Sequence, residues 1–187
     1  MRALTLNRRL WFYRILSLIV TAILAHLLAV WAVPRIAMYV VMYGPAAREM
    51  NMLNQAAFPP QVTASSRNVV MPSPDMLYSV CVFDVSNGPV RVTGHPKLQS
   101  YWSIALYGAN SDNFFSINDR NSNDQPVDLW LVSEGGNGQG PVPPPTSTVV
   151  VAPTTQGLLL MRVLTGDYEA EKVVVEAARR SLNCSRA

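Results

Sequence analysis

The sequence predicts a mainly β domain behind one membrane-spanning helix, finished by a C-terminal amphipathic helix. Three observations carry this. Residues 15–33, ILSLIVTAILAHLLAVWAV, contain no Asp, Glu, Lys or Arg. From residue 61 onward the texture changes to short β-branched and aromatic runs broken by Gly, Pro, Asn and Ser, the pattern of an all-β domain. Residues 167–182 then return to helical spacing.

The composition supports the membrane element. Only 14% of the 187 residues are charged, well below the usual ~25%. Nineteen uncharged, mostly apolar residues at about 1.5 Å rise cross roughly 30 Å of hydrocarbon. Arg2, Arg8, Arg9 and Arg14 precede the run with no acid to offset them, which keeps that end in the cytoplasm and sends the rest outward. A cleaved signal peptide is the rival reading, with Val30 and Ala32 before a cut at Val33. Its apolar core is usually only ~7–15 residues, so an uncleaved anchor is favoured. The expected layout is a basic cytoplasmic segment (1–14), a transmembrane anchor (15–33), a connector (34–60) and an exported β-domain with its helix (61–187). The lipid bilayer is the one partner this layout names, and the expected location is the bacterial cytoplasmic membrane with the domain in the periplasm. His26 reads as a neutral imidazole tolerated in a single span.

The basic excess belongs to this topology signal. Setting the four leading arginines aside leaves 11 basic against 12 acidic residues, a net charge of −1. No basic patch interleaved with aromatics remains, so nucleic acid is not an expected partner.

In the connector, Pro45 starts a short helix whose Ala46, Met50, Leu53 and Ala57 share a face, and Pro59 and Pro60 end it. Candidate strands follow at 67–71, 77–85, 90–93, 99–107, 114–117, 127–132, 148–151 and 158–164. In 99–107, Trp102, Ile104 and Leu106 point one way and Tyr101, Ser103 and Tyr107 the other. The 77–85 run is apolar on both faces, which predicts a central strand covered on both sides. Asn87-Gly88-Pro89 predicts a corner returning the chain. The stretch GGNGQGPVPPP at 135–145 reads as a solvated connection. In the terminal helix Asp167 caps, Glu169, Glu171, Arg179 and Arg180 suit the dipole, and Ala170, Val173, Val174, Ala177, Ala178 and Leu182 form the stripe expected to pack on the sheet.

The chemistry-bearing residues are sparse. There are two histidines, no Cys/His zinc spacing, no G-x-S-x-G elbow and no phosphate-cradling glycine loop. Asp112, Asp119, Asp124 and Asp128 lack EF-hand spacing. Eight methionines without a repeat or an accompanying His read as apolar filling rather than a copper site. No cofactor or metal is expected. The polar group that stands out is Asp75, Tyr78, Tyr101, Asn113, Asn118, Asp119 and Arg120, with the plainer reading that Asp75 starts a turn and Asp119–Arg120 pair on a loop.

Residues 73–94, SPDMLYSVCVFDVSNGPVRVTG, followed by YWSIALYGANSDNFFSINDR at 101–120, resemble the domain of unknown function numbered 1254. The resemblance covers about 70–165, and the arginine-rich start, single span and terminal helix are similar to its short membrane-anchored bacterial members. Where larger relatives carry an Asn-Pro-Asp-Thr-Leu-Tyr-Ser block, this chain has Ser73 and Met76 in place of Asn and Thr. The resemblance implies an antiparallel β-sandwich-like fold and an envelope location, and no reaction. The favoured reading is a non-enzymatic binding or structural domain for an envelope partner or small ligand. The others are an enzyme or carbohydrate-processing module using Asp75, Asp119 and Arg120, and a subunit of a membrane complex.

Export also bears on Cys81 and Cys184, the chain's two cysteines. Cys81 sits in an apolar strand with no cationic neighbour to activate it, so a buried thiol or a bridge remains. Compartment and even count favour a Cys81–Cys184 bridge from the central strand to the end of the terminal helix.

Overall fold

The computed structural model describes residues 2–63, 65–66, 72–134 and 140–187, and the expected strand at 67–71 lies outside them. The chain forms two compact units, Met1–Ala37 and Met38–Ala187.

The first unit is helical. Helix α1 (Arg2–Tyr43) makes up its described residues and continues to Tyr43, passing through Pro34 at the expected boundary of anchor and connector. Pro34 cannot donate to the carbonyl one turn back. Arg35 braces this turn, its Nη1 donating to the Trp31 carbonyl at 2.6 Å and its guanidinium lying 4.7 Å from the Trp31 ring centroid. Among the described residues this is one helix long and apolar enough to cross a membrane, a property that a signal sequence shares.

The second unit is a two-sheet sandwich. Its strands are β1 (Met76–Asp84), β2 (Val90–Gly94), β3 (Trp102–Gly108), β4 (Asn113–Asn118), β5 (Val127–Ser133), β6 (Thr148–Ala152), β7 (Gln156–Leu164) and β8 (Asn183–Arg186). Sheet A has the order β1-β7-β3-β4 and sheet B the order β6-β5-β2-β8. All pairs are antiparallel except β5–β6. A parallel pair needs a crossover of about a dozen residues, and this is what the Gly- and Pro-rich chain between β5 and β6 provides. Residues 135–139 of it lie outside the described set.

Alternation fills the space between the sheets. Leu77, Cys81 and Phe83 of β1, Leu159, Met161 and Val163 of β7, and Ile104 and Leu106 of β3 meet Val90 and Val92 of β2 and Leu129 and Leu131 of β5. Each such side chain contributes ~1.5–3 kcal/mol on burial. The Cys81–Cys184 disulfide crosses this core from sheet A to sheet B, with its Cα atoms 6.5 Å apart. Such a bridge suits an oxidising compartment.

Four expectations need correction. First, β1 is an edge strand of sheet A. It is apolar on both faces because the connector covers its outer face, and single bridges from Leu53 to Val82 and from Ala57 to Val80 blunt its edge. Second, the Asn87-Gly88-Pro89 corner carries the chain from sheet A to sheet B rather than closing a hairpin. Gly88 takes φ +130° there, which a side chain would resist, and the Asp84 carboxylate accepts from the Ser86 N–H. Third, α2 (Pro45–Glu49) is shorter than expected, and Leu53 lies exposed while Ala47, Met52 and Ala57 are buried.

Fourth, α3 (Tyr168–Arg180) is rotated from the expected stripe. Asp167 caps it as expected, accepting from the Glu169 and Ala170 N–H groups. It buries Val175, Ala178 and Arg179, with Leu182 beyond its end, and leaves Ala170, Val173, Val174 and Ala177 exposed. Arg179 sets the rotation: its Nη1 donates to the carbonyls of Pro59 (2.6 Å) and Tyr78 (3.1 Å), and its Nη2 to Glu176 (2.6 Å). Cys184 sits beyond the helix, on β8, where its pairing with Val92 makes it part of sheet B.

Candidate functional site

In an antiparallel sheet, directly opposed residues point to the same side. The register of sheet A therefore lays three rows across its outer face. The first is Tyr78, Arg162, Ser103 and Asn118, running β1 to β4. The second is Val80, Leu160, Ala105 and Ser116. The third is Val82, Leu158, Tyr107 and Asn113, the last after a register shift at Leu106/Tyr107. Met38, Met42, Ala47, Met52 and Ala57 cover the β1–β7 side of the second and third rows. The first row stays polar.

That row holds two of the expected site residues. Tyr78 is half-buried and its hydroxyl accepts from the Ser73 N–H at 3.0 Å. Asn118 is half-buried and turns its Oδ1 onto its own loop, accepting from the N–H groups of Arg120 and Asn121. Between them stand Arg162 and Ser103. Arg162 Nη2 donates to the Tyr107 hydroxyl at 3.0 Å, while Arg162 Nε and Ser103 Oγ are buried with no hydrogen-bond partner. Among the described residues the ion pairs are Arg91–Asp128, Arg179–Glu176 and Arg180–Glu176, so no carboxylate neutralises Arg162.

The other expected residues lie elsewhere. Asp75 is exposed before β1, its carbonyl accepting from Thr165 N–H. Tyr101 precedes β3 and its carbonyl accepts from Leu164 N–H. Asp119 and Arg120 follow β4; Asp119 Oδ1 is buried without a partner, Arg120 is exposed, and no ion pair joins the two. All four share one end of sheet A with the polar row. Asp75 and Asp119 flank opposite edges of that sheet, about 14 Å apart at three strand spacings. Asn113 sits at the far end, its Nδ2 donating to the Leu106 and Phe115 carbonyls.

Two further polar clusters are hydrogen-bonded internally, although His95 Nε2 beside the second is buried without a partner. Gln156 accepts from the Tyr43 hydroxyl and donates to Asp84 Oδ2 at 2.7 Å, and the Asp84 N–H donates to Asn54. Burial pushes the Asp84 carboxyl up, but bonds from Ser86 and Gln156 and the charge of Arg186 outweigh it and hold the group below its ordinary range. On sheet B, a shallow groove of about 400 Å³ is bordered by Arg91, His95, Asp128 and Ser181. Arg91 grips Asp128 through two bonds of 2.9 and 3.0 Å, and Ser147 adds a third. The Arg91 bond, with that of Ser147, holds Asp128 below its ordinary range against the push of burial. Among the described residues no three His, Cys, Asp or Glu side chains group as a metal site.

The model of a family described as "Protein of unknown function (DUF1254)" matches residues 53–186. The chain belongs to this family. The DUF1254 match runs from the connector through β8, so it takes in both sheets, the disulfide and the polar row. Among solved structures, the VPA0106 protein from Vibrio parahaemolyticus is similar at TM-score 0.63 and 18% identity, over 84% of this chain and 36% of that one. An uncharacterised protein from Burkholderia cenocepacia is similar at TM-score 0.48 and 12% identity, over 75% of this chain and 36% of that one. This chain thus spans about a third of the length of either, and the likeness to the first is one of fold. No curated protein matches.

Sequence reasoning flagged Tyr78 and Asn118, and placed Ser103 and Tyr107 on the second face of their strand. It missed Arg162. The signal was available: one arginine inside LLLMRVL, where the neighbouring positions are apolar.

Proposed function

We propose that this DUF1254 chain is a single-pass, membrane-anchored envelope protein whose β-sandwich faces the periplasm and acts as a binding or structural module. The observation that carries the reading is the Cys81–Cys184 bridge across the core, which suits an oxidising compartment. Four arginines ahead of the apolar run of α1 supply the matching topology signal. Binding is ranked ahead of catalysis because the reading that uses Asp75, Asp119 and Arg120 requires them to converge, and Asp75 and Asp119 border opposite edges of sheet A. The expected site is the end of sheet A that carries Tyr78, Tyr101 and Asn118, with Asn113 dropped from the group.

The test is carbonate extraction of membranes from a Gram-negative host expressing the full chain, with mass measurement of the mature N-terminus. The reading expects an uncleaved chain retained in the membrane pellet. A chain beginning at Val33 in the soluble fraction would refute the anchor.

A further inference from the structure

We propose that the outer face of sheet A binds a carboxylate group, held by Arg162 and Ser103. The inference deepens the binding-module reading and rests on it. Buried polar atoms in folded proteins are almost always hydrogen-bonded, and each exception calls for a reason. Here two exceptions are direct cross-strand neighbours: Arg162 Nε and Ser103 Oγ are both buried without a partner, on residues paired between β7 and β3. Opposed Cβ atoms lie ~4.5–5.5 Å apart, so one small group can meet both side chains.

The chemistry of the missing group follows from the donors. A guanidinium N–H only donates, and a serine hydroxyl can donate. The complement is a pair of acceptor oxygens on one centre. Among the described residues the guanidinium also lacks an anion: it bonds the Tyr107 hydroxyl at 3.0 Å and no carboxylate. Water would fill the hydrogen bonds but leave the charge. A carboxylate does both, through charge-assisted bonds that guanidinium geometry favours. Arg162 keeps part of its surface exposed while Nε is shielded. Binding therefore turns the guanidinium so that its Nε edge reaches the open side. Tyr78 and Tyr107 border the position along and across the rows and supply an apolar wall for the ligand's body.

The test uses the full chain in detergent micelles, uniformly labelled with nitrogen-15, and follows the Arg162 Nε–H resonance together with the backbone amide resonances of β3 and β7, which every variant retains, while sodium acetate is added. Sodium chloride at equal ionic strength is the control, and inorganic phosphate is the tetrahedral-anion arm. The expected result is a saturable shift with acetate that chloride does not produce. Ser103→Ala removes one bond to a charged group and weakens binding about 10-fold or more, and Arg162→Gln abolishes it. Spectra and melting curves of both variants establish that they fold. A wild-type chain with no saturable shift, a response to phosphate but not acetate, or acetate binding that survives Arg162→Gln each overturns the assignment. None of these outcomes touches the extraction test, so a failed ligand and a failed anchor are told apart.

Discussion

Breaking the Cys81–Cys184 bridge is expected to remove a large part of the sandwich's stability. The cysteines are 103 positions apart. In the chain-entropy treatment, freeing a loop of that length at 25 °C costs about 4.7 kcal/mol. The unit Met38–Ala187 has roughly 150 residues, and at ~2.1 cal/mol/K of unfolding entropy per residue this becomes a fall in Tm of about 15 °C. Both cysteines are buried, so replacing them also loses packing. Two perturbations separate the effects: reductant on the wild-type chain removes the bond alone, and the double variant Cys81→Ala/Cys184→Ala removes bond and sulfur. The assay is thermal melting followed by near-ultraviolet circular dichroism, which reports the buried Trp102 and Trp130 of the sandwich. Oxidised and reduced chains melting within ~3 °C of each other would refute the reasoning.

Three other outcomes are expected. Arg179 is 3% exposed and ties α3 to the Pro59 and Tyr78 carbonyls; Arg179→Met should cost about 3–5 kcal/mol, and a wild-type urea midpoint would contradict this. A Cβ on Gly157 would lie 2.2 Å from the Tyr107 carbonyl oxygen and 2.4 Å from the Phe83 ring. Gly157→Ala should therefore destabilise by ~2 kcal/mol or more, and an unchanged melting curve would count against the packing of β1, β7 and β3. Asp84, Asp128 and Glu176 are all held below their ordinary values, Glu176 by Arg179 and Arg180 against the push of burial. A carboxyl depressed on folding stabilises fully above its unfolded value, near pH 4, and that stability disappears as pH falls through the folded value. Urea midpoints should hold from pH 7 to about 5 and drop towards pH 3; equal midpoints at pH 3 and pH 6 would sink this.

Much of the sandwich was legible because its strands bury one face and show it. Trp102, Ile104 and Leu106 alternate with Ser103 and Tyr107, and the structure buries the first three in the core. Strand order was not legible. Two apolar faces on β1 report cover on both sides, and a connector packed over an edge strand provides that as well as two neighbouring strands would. The rotation of α3 was hidden because its buried face includes Arg179, which satisfies its charge through carbonyls and Glu176; an apolar stripe does not register such a residue. The four-residue β8 has no apolar pattern of its own and exists through pairing with β2. The polar row was half legible for a related reason. Tyr78 and Asn118 stood out by type, but a row across four strands depends on register between β1, β7, β3 and β4, which no local stretch encodes.

The claim at the centre of this account is an exported sandwich on a retained anchor. Proteolysis of spheroplasts tests it most directly. In a Gram-negative host expressing the full chain with a C-terminal epitope, protease added outside spheroplasts should remove the epitope, while the same protease added to intact cells should leave it. An epitope that stays protected in spheroplasts until the membrane is dissolved would place the sandwich in the cytoplasm and contradict the account.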